Sequence, residues 1–208
     1  MKAILVLFFI SFTISFQSFA NSGWKSVKQS RGVEVFEKKI GKETAFRGVA
    51  TLSGSKKDFL KIIHDTSRWK NWVENLKSGE LIEKKSDSHH IFRQVIGTPF
   101  PMKDREVVYQ SIVSRTGPKT VQVEMKSIEH PQAPRTKDRI RTEIVFTRYQ
   151  VEQINSQQIR VTFENLSNPG GKIPKFLTDW ASRNYPVTIL EGLQRELVKK
   201  VQKKAPLP

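Results

Sequence analysis

The chain has 208 residues and a net charge of +16 at pH 7, from 36 lysines and arginines against 20 aspartates and glutamates. It contains no cysteine, which excludes disulfide bonds, thiol catalysis, iron–sulfur clusters and cysteine-ligated zinc. A chain of this length can bury a core without cross-links, and its positive charge favours anionic partners such as lipid headgroups, acidic glycans or nucleic acid.

The first twenty residues have the three parts of a secretory signal peptide. Lys2 supplies a basic start, residues 3–16 form an uncharged and mainly apolar run, and Ser18 and Ala20 are small residues at the end of the segment. A membrane anchor is the alternative, but the apolar run is shorter than the roughly 20 residues that span a bilayer. We therefore expect residues 1–20 to be a signal peptide and residues 21–208 to form one exported domain, periplasmic or secreted.

The first part of that domain predicts a β-hairpin followed by helices. Residues 32–40 and 44–52 alternate apolar and polar side chains and are separated by a short turn. Ser55 and Asp58 have the spacing of a helix-capping box, and apolar residues follow at helical spacing. Ser67 is expected to cap a second, short helix that carries two tryptophans.

The rest of the domain predicts a sheet and one long helix. Between residues 79 and 166 apolar and polar side chains alternate in successive runs broken by turns, which favours an antiparallel sheet. After residue 174 the apolar spacing becomes helical, as one long amphipathic helix or as two segments joined at Pro186. Only this helix is large enough to cover the apolar face of the sheet, and either a packed core or a hollow between them fits the pattern.

Four stretches, in this order, resemble the START (steroidogenic acute regulatory protein-related lipid transfer) domains. They are "GWKSVKQSRGVEVFEKKI" (23–40), "FRGVATLSGSKKDFLKIIHDTSRWKNWVENL" (46–76), "PFPMKDREVVY" (99–109) and "NPGGKIPKFLTDWASRNYPVTILEGLQREL" (168–197). The resemblance implies an α+β helix-grip fold, in which a curved antiparallel sheet surrounds a long C-terminal helix and encloses a lipid tunnel. It also implies a monomer that carries one lipid or sterol-like molecule between membranes, with no reaction and no cofactor. The signal peptide places such a protein in a bacterial-type cell envelope.

Arg105 is the most specific site residue that the resemblance implies. In phosphatidylcholine-binding members of the family, the arginine of the similar "PFP…R" motif lies near the ligand phosphate, and Arg105 occupies that position. The residues alone also allow a structural ion pair of Arg105 with Asp104, Glu106 or a carboxylate of another strand, which would exist without a ligand.

Two further groups of residues complete the expected site. The apolar and aromatic residues expected to line the tunnel are Trp72, Phe92, Phe100, Trp180, Tyr185, Ile189 and Leu193. The basic residues at the end of the long helix are expected to dock on an anionic membrane surface, and they are Arg195, Lys199, Lys200, Lys203 and Lys204.

Two other classes of function remain as alternatives. Charge alone would suit a protein that binds nucleic acid or an acidic glycan, although the chain lacks the aromatic–basic motifs of nucleic-acid modules, and we expect no nucleic-acid partner. An enzyme on the same fold would need an acid/base pair inside the tunnel. The four histidines have no metal-ligand spacing, and we expect no metal site.

Overall fold

The computed structural model describes residues 23–171, 173 and 175–202, without the side chains of 175–182 and 200–202. The signal peptide expected over residues 1–20 lies outside the described residues and remains a prediction. Among the helices that are described, none is both long and apolar enough to cross a bilayer.

One large sheet and a C-terminal helix dominate the fold. The strands are β1 (Lys25–Ser30), β2 (Val33–Ile40), β3 (Glu43–Ser53), β4 (Leu76–Ser86), β5 (His89–Ile96), β6 (Arg105–Arg115), β7 (Thr120–Ser127), β8 (Ile140–Arg141), β9 (Glu143–Asn155) and β10 (Gln158–Asn168). The helices are α1 (Lys56–His64), a 3-10 helix (Thr66–Asn71) and α2 (Lys175–Gln202).

The sheet is antiparallel along the order β1-β2-β3-β10-β9-β7-β6-β5-β4, as the alternating pattern predicts. The two-residue β8 is an exception, because it pairs parallel with the start of β6. The predicted hairpin corresponds to β2 and β3, and β1 adds an edge strand that the sequence pattern did not reveal.

The caps of the two short helices differ from each other. In α1 the backbone N–H of Asp58 donates to Ser55 Oγ at 3.1 Å, which confirms the predicted cap. The prediction that Ser67 caps the second helix is wrong. That helix is a 3-10 helix with Asp65 at its N-cap, and Ser67 Oγ instead donates to the Asp65 carboxylate at 2.5 Å.

The long helix α2 continues through Pro186 without a break and packs against β2, β3, β10 and α1. Gly48 on β3 lies directly beneath the proline, since a Cβ atom at that position would come within 2.8 Å of Pro186 Cβ. A glycine there allows the helix and the sheet to approach closely at the one residue that could have interrupted α2.

The C-terminal half of α2 is held firmly against the 3-10 helix. Glu196 is fully buried, and its carboxylate accepts a hydrogen bond from Arg68 Nη2 at 2.5 Å. One turn earlier, a Cβ atom at Gly192 would lie 2.6 Å from the backbone oxygen of Trp72. This half of the helix is therefore locked in place by a buried ion pair and a close backbone contact.

The contact at Gly192 predicts a clear loss of stability when a methyl group is added. Overpacking of a tight site costs about 1–3 kcal/mol, of which better helix propensity returns up to about 1 kcal/mol. We expect Gly192→Ala to lower the free energy of unfolding by about 1–2 kcal/mol, measured by urea denaturation. Gly117→Ala is the control, because a Cβ atom there would meet nothing nearer than 3.7 Å. Equal stability of the two variants would contradict the close packing of α2.

Candidate functional site

The two faces of β6 have different surroundings. Arg105, Tyr109 and Ser111 alternate with their neighbours, so they face the same side of the sheet, and all three are buried. The opposite side chains, Glu106 and Val108, are covered by the segment between β7 and β9. The side of β6 that carries Arg105 and Tyr109 is the concave side of the sheet, where the main core and α2 lie, and it is called the inner face below.

Arg105 is buried at the end of this inner face with an incomplete set of hydrogen bonds. Its side chain is 7% exposed, and its Nη1 donates to the backbone oxygen of Lys103 at 2.7 Å and to Thr98 Oγ1 at 3.4 Å. Its Nε is buried without a partner. Its Nη2 lies beside Gly171, since a Cβ atom at that glycine would be 3.7 Å from it. A buried guanidinium with free donors is a favourable partner for a phosphate or carboxylate.

Of the ion pairs expected as alternatives for Arg105, those with Asp104 and Glu106 are wrong. Asp104 pairs with Lys77 at 2.8 Å, and Glu106 faces the other side of the sheet. Within the part of the chain that the structure describes, Arg105 pairs with no carboxylate. Its positive charge is therefore uncompensated by the described residues, which is costly for a buried group in the absence of a ligand.

Glu106 instead binds three arginines on the outer face of the sheet. Arg139 Nη1 and Arg141 Nη2 donate to it at 3.0 and 2.9 Å, and Arg93 Nε donates at 2.7 Å. Burial by itself would raise the pKa of Glu106, but the hydrogen bonds from Arg93 and Arg139 and the nearby positive charges outweigh it and lower the pKa. Arg139 belongs to the covering segment and Arg141 to β8. Their bonds to Glu106 therefore attach the covering segment and β8 to β5 and β6.

Phe100 does not line an enclosed space, and the prediction that it does so is wrong. Its side chain is 97% exposed. The N–H of Met102 donates to the oxygen of Pro99 at 3.0 Å, which closes a turn with Phe100 and Pro101 at its tip. The Phe100–Pro101 peptide bond in this turn is cis. A side chain at the tip of a turn points away from the sheet, and the sequence pattern cannot distinguish this from an inward direction.

Three tyrosines lie between the inner face and α2, in a region that is called the interior space below. Tyr185 on α2 is 40% exposed, and desolvation raises its pKa to about 12. Its ring centroid lies 5.6 Å from that of Phe163 on β10, which in turn lies 5.0 Å from that of Tyr149. Desolvation also raises the pKa values of Tyr109 and Tyr149, and for both of them Tyr185 is a further cause. No hydrogen bond joins the hydroxyl groups of these three tyrosines to another described residue.

The other residues expected to line the tunnel lie in the main core. Trp72 packs beside Gly192, and Phe92 contacts Tyr109 with ring centroids 5.8 Å apart. Ile189 and Leu193 on α2 are fully buried. The side chain of Trp180 lies outside the description. Contact of these residues with a ligand stays a prediction.

The basic residues expected to dock on a membrane are only partly described. Arg195 is exposed, and Lys199 Nζ pairs with the buried carboxylate of Glu196 at 2.9 Å. The side chain of Lys200 and the whole of Lys203 and Lys204 lie outside the described residues. Their role as a docking surface stays a prediction.

Sequence reasoning missed Tyr109 and Tyr149, although the signal was present. Tyr109 is four residues after Arg105 on one strand, so the two share a face, and Tyr149 lies on β9 at the position paired with Val123 of β7. The strand alternation would have placed both tyrosines inside. The cluster of arginines around Glu106 had no local signal, because Arg93, Arg139 and Arg141 are 13, 33 and 35 positions away from it.

The arrangement closest to a catalytic one involves His64 and Ser111. His64 Nε2 lies 3.3 Å from Ser111 Oγ, and burial, followed by the nearby His90, lowers the pKa of His64 to about 4. Ser111 is fully buried, and no described carboxylate orients His64. Among the described residues, this pair therefore lacks the oriented base and accessible nucleophile that characterise a hydrolytic triad. The described residues also contain no cluster of three or more side chains suited to a metal ion.

Comparison with known proteins assigns the fold. The family model of the START domain matches residues 19–205. The phosphatidylcholine transfer protein of Bos taurus is 24% identical over 172 residues, covering 79% of this chain and 79% of that protein. Human STARD10 superposes with a TM-score of 0.80 at 18% identity, covering 89% of this chain and 77% of its own.

A bacterial structure gives a similar result. A STAR-related lipid transfer protein from Xanthomonas axonopodis superposes with a TM-score of 0.74 at 23% identity, covering 85% of this chain and 99% of its own. The predicted family resemblance and the predicted α+β helix-grip fold are both confirmed.

Proposed function

The chain belongs to the START domain family, and on that premise we propose that it binds one lipid in the space between the inner face of the sheet and α2 and carries it between membranes. START domains are lipid-binding and lipid-transfer domains. The observation that supports the proposal most strongly is Arg105, which is buried with a free Nε and no described carboxylate partner.

The position of Arg105 favours a phospholipid as the ligand. Its donors lie at the end of the inner face, where a phosphate would give them charge-assisted hydrogen bonds. From there, Tyr109 is four residues further along the same strand, or about 13 Å. The acyl chains would then extend along the interior space past the tyrosines. The relative from Bos taurus, named a phosphatidylcholine transfer protein, supports the same ligand class.

The cellular setting of the proposal is the envelope of a bacterial-type cell or another exported compartment. The support is the signal-peptide pattern of residues 1–20. A lipid cannot cross an aqueous compartment between two membranes at a useful rate on its own, because its acyl chains remain in the apolar phase. An exported carrier with an enclosed apolar space removes this obstacle by shielding the chains during transfer.

The turn that carries Phe100 would contact the donor and acceptor membranes. Phe100 is an exposed aromatic side chain, and Lys103 and Lys137 lie beside each other near it, because Lys103 Nζ donates to the backbone oxygen of Lys137 at 2.7 Å. An aromatic side chain between basic residues is suited to the interface of an anionic bilayer. The turn leads directly to Arg105, so contact there would bring the membrane next to the site for the headgroup.

A transfer assay tests the proposal. Donor vesicles containing a fluorescent phospholipid or a fluorescent sterol are mixed with unlabelled acceptor vesicles and the mature chain. The protein should accelerate movement of the phospholipid in proportion to its concentration. If it accelerates neither lipid and binds neither, the proposed function is wrong.

Membrane contact by Phe100 predicts a separate effect. Burying a phenylalanine side chain is worth about 1.5–3 kcal/mol, so Phe100→Ser should weaken binding to anionic vesicles by about tenfold or more, without changing stability. Vesicle co-sedimentation measures the first effect and thermal unfolding the second. Ile154→Ser is the matched control, because Ile154 is also exposed but lies at the opposite end of the sheet. If both variants bind vesicles as tightly as the unaltered chain, the turn is not the contact surface.

A further inference from the structure

A second cleft opens at the end of the inner face farthest from Arg105. It lies between α1 and the turns that follow β4 and β6, and its volume is about 1020 Å³. Ser111 beneath it is six residues after Arg105 on β6, a separation of about 20 Å along the strand. We call it the far-end cleft.

The far-end cleft is surrounded by unpaired positive charge. Lys56, Lys57, Lys61 and Arg115 line it. None of the four forms an ion pair with a carboxylate in the described part of the chain. The one carboxylate in the lining belongs to Asp87, which already pairs with Lys84 at 2.6 Å. Four cations around one concavity repel one another, and an anion bound between them relieves that repulsion.

The floor of the cleft is formed by two histidines with unused hydrogen-bonding capacity. The rings of His64 and His90 lie 4.7 Å apart, and His90 is only 9% exposed. Its Nδ1 is buried without a partner. Desolvation is the largest cause that lowers the pKa of both histidines, which favours their neutral forms. Because His64 Nε2 already lies 3.3 Å from Ser111 Oγ, the unused hydrogen-bonding capacity of the floor is at His90 Nδ1.

Apolar side chains complete the lining of the far-end cleft. Leu60, Val113 and Val121 form the apolar part of the lining. Phe92 is fully buried behind the histidines, with its ring centroid 5.9 Å from that of His64 and 5.8 Å from that of Tyr109.

We propose that the far-end cleft is a second binding site, which takes a small amphiphile with a phosphate or carboxylate group. The anionic group would lie among the four cations of the rim, and a short apolar portion would pack on Leu60, Val113 and Val121. The histidines on the floor would bind a second polar group of the ligand. The lining of this site contains neither Arg105 nor the three tyrosines to which the lipid was assigned above.

The experiment uses the NMR signals of the two histidines as reporters of ligand binding in the far-end cleft. The ring C–H signals of His64 and His90 are recorded by NMR on the mature chain during titration with decyl phosphate. Saturable shifts of both signals are expected. Titration with inorganic phosphate should shift the same signals at higher concentration, because it lacks the apolar portion.

Three variants locate the binding and separate it from general charge attraction. Lys57→Gln with Lys61→Gln removes two exposed lysines of the rim and should weaken decyl phosphate binding by about tenfold. Lys42→Gln with Lys70→Gln removes the same charge at exposed positions outside the cleft and should leave the affinity unchanged. Arg105→Met should also leave it unchanged, so a failure of the proposed lipid function does not affect this result.

A further titration with phosphatidylglycerol vesicles shows whether the anionic group of the ligand belongs to a membrane lipid or to a soluble molecule. Shifts of the two histidine signals that depend on Lys57 and Lys61 would identify a membrane headgroup as the ligand, whereas shifts with decyl phosphate alone would identify a soluble amphiphile. Equal weakening by both lysine pairs, or decyl phosphate titration without a shift of either histidine, would overturn the proposal.

Discussion

The Arg105→Met variant is expected to bind phospholipid at least about 30-fold more weakly than the unaltered chain while folding as stably. Loss of one member of a buried, hydrogen-bonded charge pair costs about 2–5 kcal/mol of binding free energy. The fold should tolerate the change, because Arg105 contributes only its hydrogen bonds to Thr98 and Lys103 and no ion pair with a described residue. Replacing an uncompensated buried charge by an apolar side chain of similar length is neutral or stabilising.

Two measurements make this prediction specific. Equilibrium binding of a fluorescent phospholipid gives the affinity, and urea denaturation without lipid gives the stability. Arg160→Met is the control, because Arg160 is an exposed arginine on β10 and its loss lowers the net charge equally. If Arg105→Met unfolds the protein, Arg105 has a structural role that its contacts do not show. If it binds phospholipid normally, the headgroup does not lie at Arg105.

The Glu106→Gln variant is expected to lose about 3–5 kcal/mol of stability. Glu106 is 1% exposed, and without its charge Arg93, Arg139 and Arg141 face one another around a neutral group. Urea denaturation at pH 7 measures the loss. Glu80→Gln is the control, because Glu80 is an exposed partner of the same Arg93, at 3.3 Å, and exposed pairs contribute about 0–1 kcal/mol.

The same cluster predicts how stability depends on acid pH. The pKa of Glu106 is lower in the folded protein than its ordinary value of 4.5, so its contribution is complete above about pH 4.5 and is lost as the pH falls through the folded value. The Glu106→Gln variant lacks this contribution at every pH, and its stability should therefore fall less steeply in acid. Parallel stability curves for the two proteins below pH 4.5 would contradict the proposed strength of the cluster.

Local patterns were sufficient for most of the fold. Strand alternation predicted the sheet because each strand buries one face, and the spacing of Ser55 and Asp58 predicted the cap of α1 because capping depends on near neighbours alone. The sequence left open whether Pro186 breaks α2, and the close approach of Pro186 to Gly48 could not be predicted, because the two residues are distant in sequence.

Only those residues of the candidate site that belong to a recognisable sequence motif could be predicted. The "PFP…R" resemblance selected Arg105, which the structure shows to be buried. The sequence could not show that Glu106 is unavailable to Arg105, because Glu106 binds arginines of β5 and of the segment that covers the outer face. Phe100 was placed wrongly because composition does not show which way a turn points. The proximity of Tyr185 to Tyr109 and Tyr149 could not be predicted, because it depends on how α2 lies against two separate strands.

Native mass spectrometry of the chain, purified gently from the cells that produce it, tests the central claim most directly. The claim predicts a species whose mass exceeds that of the chain by one lipid, and solvent extraction should release a phospholipid in equal amount. The Arg105→Met variant, prepared in the same way, should be largely empty. A chain that carries no lipid in this preparation and acquires none from phospholipid vesicles would contradict the claim.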